Sequence, residues 1–208
     1  LDKSNIQSKF IRGLRVTDKK IINIVESVLI DFNNDIVDSL RKFGTDAISI
    51  HTKKNNIIKV TPESKELGFV GIPNEINNNL IEKILNKKQV PIISPLGLGN
   101  DNHPYNINGD TAAGAIAKSL RSRRLLLMTN VEGVLDKDKK LINEISSSEI
   151  LKMIEDNTIT EGMIPKINTC LDAVNNGVTA VGIIDGRKQH SILFEIFSDK
   201  GSGTLIRK

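Results

Sequence analysis

Cysteine, tryptophan and the other aromatic residues are scarce in this chain. Its 208 residues include one cysteine, Cys170, no tryptophan and only 3% aromatic residues in all. A single cysteine excludes an internal disulfide and any metal site built from several thiolates. With so few aromatic side chains, the core must consist mainly of Ile, Leu, Val and Ala.

Long apolar runs and concentrated charge are absent as well. No segment reaches the roughly 20 apolar residues of a membrane-spanning helix, and the start shows no signal-peptide pattern. We therefore expect no membrane partner and a cytoplasmic location. The net charge of +4 comes from scattered lysines and arginines. Because no basic block carries interleaved aromatics, we expect no nucleic-acid partner.

Several well-known catalytic motifs are also missing. The chain has no G-x-x-x-x-G-K-[ST], no G-x-G-x-x-G and no G-x-S-x-G, which argues against P-loop, dinucleotide-binding and α/β-hydrolase sites. The histidines His51, His103 and His190 do not have the spacing of metal ligands. We expect no protein-built metal site.

Apolar periodicity predicts strands that alternate with helices. One helix is predicted over 21–29 after an N-cap at Thr17 or Asp18, a second over 36–43 before Gly44, and a third over "NEINNNLIEKILNKK" (74–88). "RLLLMT" (124–129) is apolar throughout, as is typical of a buried parallel strand. The pattern predicts one α/β domain, a three-layer αβα sandwich with a mostly parallel central sheet.

The last predicted helix, "HSILFEIF", is expected to close the core. Its apolar residues recur at helical spacing, so we expect them to be largely buried. They are Ile192, Leu193, Ile196 and Phe197.

A polar cluster precedes a small-residue helix in "YNINGDTAAGAIA" (105–117). In α/β sheets, ligands bind where strands end and helices begin. If the segment is extended, Asn106 and Asn108 point to the same side, and Asp110 or Thr111 can cap the helix. The pattern suits a ligand site, and it equally suits a plain turn and helix cap.

Three further places could carry chemistry. In "TNVEGVLD" (129–136), backbone near Gly133 could approach a nucleotide closely, although an ordinary turn has the same composition. Lys166 follows Pro165 at a helix start, where a lysine and free N–H groups suit phosphate, although most helix lysines lie on the surface. Arg15 has the planar fork that binds a carboxylate with two hydrogen bonds.

Seven segments in order resemble the acetylglutamate kinases, a branch of the amino acid kinase family. The likeness runs from Gly13 to Ile206 over these segments: "GLRVTD", "ELGFVG", "PIISPLGLG", "YNINGDTAAGAIA", "TNVEGVLD", "GMIPKINTCLDAV" and "IDGRKQHSILFEIFSDKGSGTLI". The resemblance implies ATP-dependent phosphorylation of the γ-carboxylate of N-acetyl-L-glutamate, to N-acetyl-L-glutamyl 5-phosphate, in arginine biosynthesis.

The resemblance also implies roles for individual residues. Arg15, Asn106 and Asn108 would bind N-acetyl-L-glutamate, and Asp110 would orient catalytic lysines that include Lys166. The nucleotide site would be lined by two segments, and Mg²⁺ would bridge the phosphates of ATP. These segments consist of Asn130, Val131, Glu132, Gly133, Val134 and Leu135, and of Thr158, Ile159 and Thr160.

The tail resembles the arginine-inhibited members of this branch. That likeness implies L-arginine as a feedback inhibitor, with His190, Glu195 and Gly203 as candidate contacts. It also implies a homo-oligomer, a dimer or a hexamer in the full-length protein.

The resemblance further implies an N-terminal strand with a lysine and paired glycines, which we expect upstream of Leu1. The chain is thus interpreted as one N-terminally truncated domain, in which 1–120 mainly serve the amino-acid substrate and 121–208 mainly serve the nucleotide. The expected loss of one catalytic lysine leaves the activity of this piece open.

Two competing interpretations remain from the sequence. The same fold could phosphorylate aspartate, carbamate, uridylate or an acetyl-aminoadipate derivative. Alternatively, the chain could be a non-catalytic nucleotide-binding fragment, although the retained Arg15, Asn106, Asp110 and Lys166 argue against a pure nucleotide sensor.

Overall fold

A computed structural model describes residues 8–11, 13–159, 163–198 and 201–208. The chain forms two compact units, Leu1–Ala112 and Ala113–Lys208. Helices and strands alternate in both, which confirms the α/β class. No helix within the described ranges has both the length and the apolar character needed to cross a bilayer.

The first unit contains eight strands and two helices within its described residues. In chain order they are β1 (Phe10–Ile11), β2 (Leu14–Arg15), α1 (Lys19–Lys42), β3 (Ala47–Ile50), β4 (Ile58–Pro62), β5 (Gly71–Ile76), α2 (Asn78–Asn86), β6 (Val90–Ile93), β7 (Leu96–Leu98) and β8 (Pro104–Asn106). Strands β1 and β2 form a hairpin, and β3 pairs with β6 in parallel. A four-stranded sheet has the order β5-β4-β7-β8, in which only β4 and β7 are parallel.

Helix α1 is one continuous helix of 24 residues, so the prediction of two separate helices was wrong. Asp18 caps it by accepting a hydrogen bond from the Ile21 N–H at 2.8 Å, as predicted. Nothing in the middle interrupts the helix, because 30–35 contain neither Gly nor Pro. Its polar Asn33 is buried but satisfied: it donates to the Ile92 carbonyl at 2.8 Å and accepts from the Ser49 hydroxyl at 2.6 Å.

Helix α2 begins later than predicted. The expected start at residue 74 was wrong, because strand β5 extends to Ile76 and pairs with β4. Asn77 then caps the helix, accepting from the Leu80 N–H at 3.2 Å. Strand pairing therefore takes up the first three residues of an apparently helical pattern.

The second unit is built on a four-stranded mixed sheet. Helix α3 (Gly109–Ser119) begins in the first unit and ends in the second. The described elements that follow it in the second unit are β9 (Arg124–Thr129), β10 (Glu144–Ser146), α4 (Ser147–Glu155), α5 (Ile164–Asn175), β11 (Ala180–Asp185), α6 (Ser191–Phe197) and β12 (Gly203–Arg207). The strand order is β10-β12-β11-β9. The outer pairs are parallel, as predicted for "RLLLMT", and the central β11–β12 pair is antiparallel.

The core of this unit lies between the sheet and helices α4 and α5. Every residue of β11 is buried, and Ile150 of α4 and Ile167 and Cys170 of α5 are fully buried. Helix α4 begins with a capping box: the Ser146 N–H donates to the Glu149 carboxylate at 2.9 Å, and the Glu149 N–H donates to the Ser146 hydroxyl at 3.3 Å.

Helix α6 contradicts the prediction that its apolar residues are core. The large apolar side chains of this helix are 40% to 81% exposed, namely Ile192, Leu193, Phe194, Ile196 and Phe197. Glu195 faces inward instead, because its carboxylate accepts the Ser202 N–H at 2.9 Å and lies 3.5 Å from the Arg124 guanidinium. These polar contacts set the rotation of the helix.

Candidate active site

Two predicted substrate residues, Arg15 and Asn106, line one cavity in the first unit. The cavity measures about 270 Å³. The other described residues that line it are apolar and come from α1 and one loop proline, namely Ile24, Val25, Val28, Leu29 and Pro95. The fold therefore brings together residues that are 91 positions apart in the chain (106 − 15). The cavity combines a cation, a carboxamide and an aliphatic surface.

Arg15 ends the hairpin of β1 and β2. Its guanidinium contacts the Ser8 hydroxyl and lies 4.8 Å from the centre of the Phe10 ring. Such a position over an aromatic face is a favourable cation–π arrangement. Within the described ranges, no carboxylate forms an ion pair with Arg15. Its charge is therefore not neutralised by that part of the chain.

Asn106 is the last residue of β8. Its N–H donates to the Phe69 carbonyl at 2.9 Å, and its neighbour Tyr105 is buried on the other face of the strand. Among the described residues, none hydrogen-bonds the Asn106 side chain. The carboxamide is thus held at the cavity by its backbone and retains its donors and acceptor.

Asn108 has a different environment from Asn106. Strand β8 ends at Asn106, and the Asn108 carboxamide oxygen accepts from the N–H groups of Asp110 at 3.0 Å and Thr111 at 3.2 Å. The predicted cap at Asp110 or Thr111 was wrong, because Asn108 provides it. A role for Asn108 in substrate binding stays a prediction.

Asp110 and Lys166 each lie in the first turn of a helix. Asp110 is half-buried in α3, and Lys166 follows Pro165 near the start of α5, the position that the sequence predicted. Within the second unit, these helices pack closely, since a Cβ on Gly114 would lie 2.9 Å from the Thr169 methyl carbon. The catalytic roles of Asp110 and Lys166 stay predictions.

The predicted nucleotide loop, Asn130 to Leu135, follows the carboxyl end of β9. Gly133 has a φ of +151°, and a Cβ there would lie 2.5 Å from the Thr204 hydroxyl, so no larger residue fits. The Thr204 hydroxyl accepts the Val134 N–H at 2.8 Å and donates to the Ile142 carbonyl at 2.6 Å. Val134 itself is a core residue. The loop is therefore anchored to β12 at its centre.

The second predicted nucleotide segment follows helix α4. Ile159 belongs to the same apolar core as Val134, and the ammonium of Lys137 lies 2.9 Å from the Asp156 carboxylate. Asp156 also accepts the Thr158 N–H at 3.0 Å. Thr160, the third residue of this segment, lies outside the described residues. Val134 and Ile159 thus anchor the two predicted nucleotide segments in one apolar core, and the role of these segments in nucleotide binding stays a prediction.

A further pair at this end of the sheet, Asp185 and Arg187, received no role from the sequence. Asp185 ends β11 opposite Thr129 of β9, and the Gly186 N–H donates to the Thr129 carbonyl at 2.8 Å. The Arg187 guanidinium binds both Asp185 oxygens, at 2.9 and 2.8 Å, and these bonds lower the pKa of Asp185 to about 2. The signal available in the sequence was an acidic residue at the end of a buried apolar strand.

Two of the three candidate effector residues, His190 and Glu195, line different cavities among those that described residues form. His190 lines a cavity of about 410 Å³ with Leu193, Phe194, Phe197 and Ser198. Glu195 lines another of about 470 Å³ with Arg123, Arg124, Leu126 and Ile196. Gly203 begins β12, where a Cβ would lie 2.0 Å from the Ile183 carbonyl oxygen, so close strand packing accounts for this glycine.

The described part of the chain contains no group of three or more His, Cys, Asp and Glu side chains arranged to hold a metal ion.

Comparison with known proteins relates the whole chain to one family. The model of the amino acid kinase family matches residues 1–185. An acetylglutamate kinase of Pelagibacter ubique is 57% identical over 204 residues, which cover 98% of this chain and 71% of that protein.

Solved structures show the same fold. The Streptococcus mutans UA159 protein smu.665 superposes with a TM-score of 0.84 at 32% identity, over 99% of this chain and 79% of the other. An N-acetylglutamate synthase of Neisseria gonorrhoeae, solved with coenzyme A and N-acetyl-glutamate, superposes with a TM-score of 0.89 at 22% identity. The superposition covers 100% of this chain and 48% of the synthase chain. At that identity the second likeness concerns the fold alone.

Proposed function

The chain belongs to the amino acid kinase family, and on that premise we propose that it phosphorylates the γ-carboxylate of N-acetyl-L-glutamate with ATP in arginine biosynthesis. The observation that carries the proposal is the cavity shared by Arg15 and Asn106. A relative with 57% identity is named acetylglutamate kinase. The product would be the acyl phosphate N-acetyl-L-glutamyl 5-phosphate.

The cavity suits an acylated amino acid. The Arg15 guanidinium would bind the α-carboxylate, and the Asn106 carboxamide would hydrogen-bond the substrate beside it. The aliphatic wall from α1 would contact the acyl group. No Asp or Glu is among the described residues that line the cavity. A free amino group would therefore find no anionic partner among these described residues, which favours an N-acylated substrate over aspartate.

Catalysis would depend on positioning and on charge. The substrate carboxylate is already an anionic nucleophile: one of its oxygens would attack the γ-phosphorus of ATP, and ADP would leave with the bond electrons. Lys166 would stabilise the negative charge that develops on the transferred phosphoryl group. Asp110 would orient the catalytic lysines, which include Lys166. Mg²⁺, bound mainly by phosphate oxygens, would reduce the repulsion between the two anions.

The nucleotide would occupy the second unit. Support comes from the loop that begins at Asn130, which follows the carboxyl end of β9 and is anchored to Thr204, and from Ile159, which belongs to the same apolar core as Val134 of that loop. The close backbone approach at Gly133 suits such a ligand. Binding of L-arginine near α6 and assembly into a homo-oligomer remain further proposals. To bind arginine, Glu195 would have to give up its contacts with Ser202 and Arg124.

Substrate choice tests the proposal directly. We would measure calorimetric binding of acetylglutamate, acetyl-aminoadipate and aspartate to the chain, and acyl phosphate formation by the hydroxylamine assay. Acetylglutamate is expected to bind most tightly. The Arg15→Ala variant is expected to lose this binding by at least about tenfold, since it removes a charge-assisted hydrogen bond, whereas Arg207→Ala serves as a surface control.

Two outcomes would contradict the proposal. Tighter binding of aspartate than of acetylglutamate would indicate a different substrate within the family. Binding of ATP without binding of any amino-acid substrate would favour the non-catalytic nucleotide-binding interpretation.

A further inference from the structure

The two residues of the substrate cavity are joined through a short segment, 67–70. Thr17 lies two residues after Arg15 and forms an isolated parallel bridge with Gly68, and Val70 forms another with Asn106. The segment is thus bridged at Gly68 to the chain just after the strand of Arg15, and at Val70 to the strand of Asn106.

Backbone hydrogen bonds link this segment to both neighbouring stretches of chain. The Thr17 N–H donates to the Leu67 carbonyl at 2.9 Å, and the Phe69 N–H donates back to the Thr17 carbonyl at 2.7 Å. The Asn106 N–H in turn donates to the Phe69 carbonyl at 2.9 Å. Phe69 therefore contacts both neighbours through its own backbone groups.

Gly68 makes the close approach possible. Its φ is +69°, and a Cβ would lie 2.5 Å from the Thr17 carbonyl oxygen and 3.2 Å from the carbonyl carbon. Both obstacles are backbone atoms, which cannot rotate away as a side chain can. Any side chain at residue 68 would have to push Thr17 away from the segment.

Thr17 fixes the other end of the connection. Its side chain is fully buried, and its hydroxyl donates to the Arg15 carbonyl at 2.9 Å. This bond ties the turn after β2 to the residue that carries the guanidinium. A buried hydroxyl that satisfies a specific carbonyl commonly holds a local conformation.

We propose that Gly68 and Thr17 are positioning residues, which set the separation of Arg15 and Asn106 for the acylated amino acid without contacting it. The inference rests on the proposed function for its ligand. Displacement of recognition groups by about 1 Å can reduce activity by about a hundredfold. Substitution of either residue is therefore expected to weaken the binding of acetylglutamate and to leave the binding of nucleotide unchanged.

The test compares two pairs of variants in the full chain. The control for Gly68→Ala is Gly44→Ala. Gly44 also has a positive φ, +83°, but a Cβ there would have no atom within 4 Å. Gly44→Ala therefore measures the effect of backbone strain without a steric clash. Thr17→Val removes the hydroxyl at nearly constant volume, and Thr17→Ser retains it. The readouts are calorimetric dissociation constants for acetylglutamate and for a non-hydrolysable ATP analogue.

The expected result is selective for the amino-acid substrate. Gly68→Ala and Thr17→Val should weaken acetylglutamate binding by about tenfold to a hundredfold, with nucleotide binding unchanged. Gly44→Ala and Thr17→Ser should stay within about threefold of wild type. Equal acetylglutamate affinity in all variants would overturn the inference, and so would an equal loss for both ligands. If Gly68→Ala fails to fold by circular dichroism, the Thr17 pair decides.

Amide hydrogen exchange provides a readout that needs no ligand. In Gly68→Ala, the amides of Thr17, Phe69 and Asn106 should exchange faster together, and in Gly44→Ala they should not. Unchanged exchange overturns the inference even where acetylglutamate binds. Faster exchange in a chain that does not bind acetylglutamate would support the structural link between Thr17, segment 67–70 and Asn106 but contradict the proposed function. Failure of the inference and failure of the proposed function are therefore distinguishable.

Discussion

Asn106 and Asn108 lie two residues apart but have different surroundings. The Asn106 carboxamide faces the cavity that Arg15 also lines, whereas the Asn108 carboxamide accepts two N–H groups at the start of α3. The difference arises because β8 ends between them. Their contributions to binding and to stability should therefore separate.

Substitution of each asparagine is expected to affect a different quantity. Asn106→Ala should raise the KM for acetylglutamate by about tenfold, through loss of a substrate hydrogen bond of about 1.4 kcal/mol, with little change in thermal stability. Asn108→Ala should lower the free energy of unfolding by about 1 kcal/mol, because it removes a helix cap. Steady-state kinetics and urea denaturation measure the two effects.

A conservative variant separates capping from binding at Asn108. Asn108→Asp retains an oxygen acceptor at the helix N-terminus and should recover most of the stability. An Asn108→Ala protein with normal stability and a raised KM would instead favour direct substrate binding by Asn108.

The ion pair of Asp185 and Arg187 predicts a pH effect at residue scale. Hydrogen bonds from Arg187 lower the pKa of Asp185 from 3.8 to about 2. Because the folded-state pKa is below the unfolded one, the stabilisation is fully present above pH 3.8 and is lost as the pH falls to about 2. In Arg187→Gln, the pKa of Asp185 should return towards 3.8.

Carboxyl-carbon NMR titration measures this shift in the pKa of Asp185. Arg207→Gln is the matched control, since Arg207 pairs with Glu144 on the surface and lies beside the end of β11 opposite to Asp185. An unaltered Asp185 titration in Arg187→Gln would show that another group lowers the pKa.

At the scale of elements, helices α5 and α6 differ in how they use apolar residues. Helix α5 buries Ile167 and Cys170 completely against the sheet, whereas α6 leaves Phe197 81% exposed. Both segments carry apolar residues at helical spacing in the sequence. The buried contacts of Glu195 decide the orientation of α6, and apolar periodicity carries no information on such a partner.

Stability measurements should reproduce this difference. Ile167→Ala is expected to lower the free energy of unfolding by about 2–5 kcal/mol, because it leaves a cavity in the core. Phe197→Ser is expected to change the free energy by no more than about 0.5 kcal/mol, as is usual for exposed positions. A large loss for Phe197→Ser in urea denaturation would show that its ring is covered in solution.

At the scale of the whole molecule, the two units carry different parts of the proposed reaction. The first contains the cavity of Arg15 and Asn106, and the second contains the loop that begins at Asn130. Each ligand should therefore stabilise mainly its own unit. At about 100 times its dissociation constant, a ligand contributes about 2.7 kcal/mol to stability.

Hydrogen exchange with each ligand alone tests this division. Acetylglutamate should slow exchange of Thr17, Phe69 and Asn106, and a non-hydrolysable ATP analogue should slow exchange in 130–135 and near Asp185. The same protection pattern from both ligands would contradict the proposed assignment of substrates to units.

The sequence by itself determined the α/β class, most element positions and the family. Apolar periodicity, helix caps and buried strands are local patterns, so they can be read without knowing what packs against them. The segments "GLRVTD" and "YNINGD" also pointed to Arg15 and Asn106 before any distance was known.

Only the tertiary structure decided how these parts are used. It joined Arg15 and Asn106 through Gly68, assigned Asn108 to the cap of α3 and turned Glu195 inward on α6. Each outcome depends on atoms far apart in the chain, such as the Thr17 carbonyl that excludes a side chain at residue 68. Steric exclusion and long-range hydrogen bonds exist only once the chain has folded, and they decided which of the predicted residues share a site.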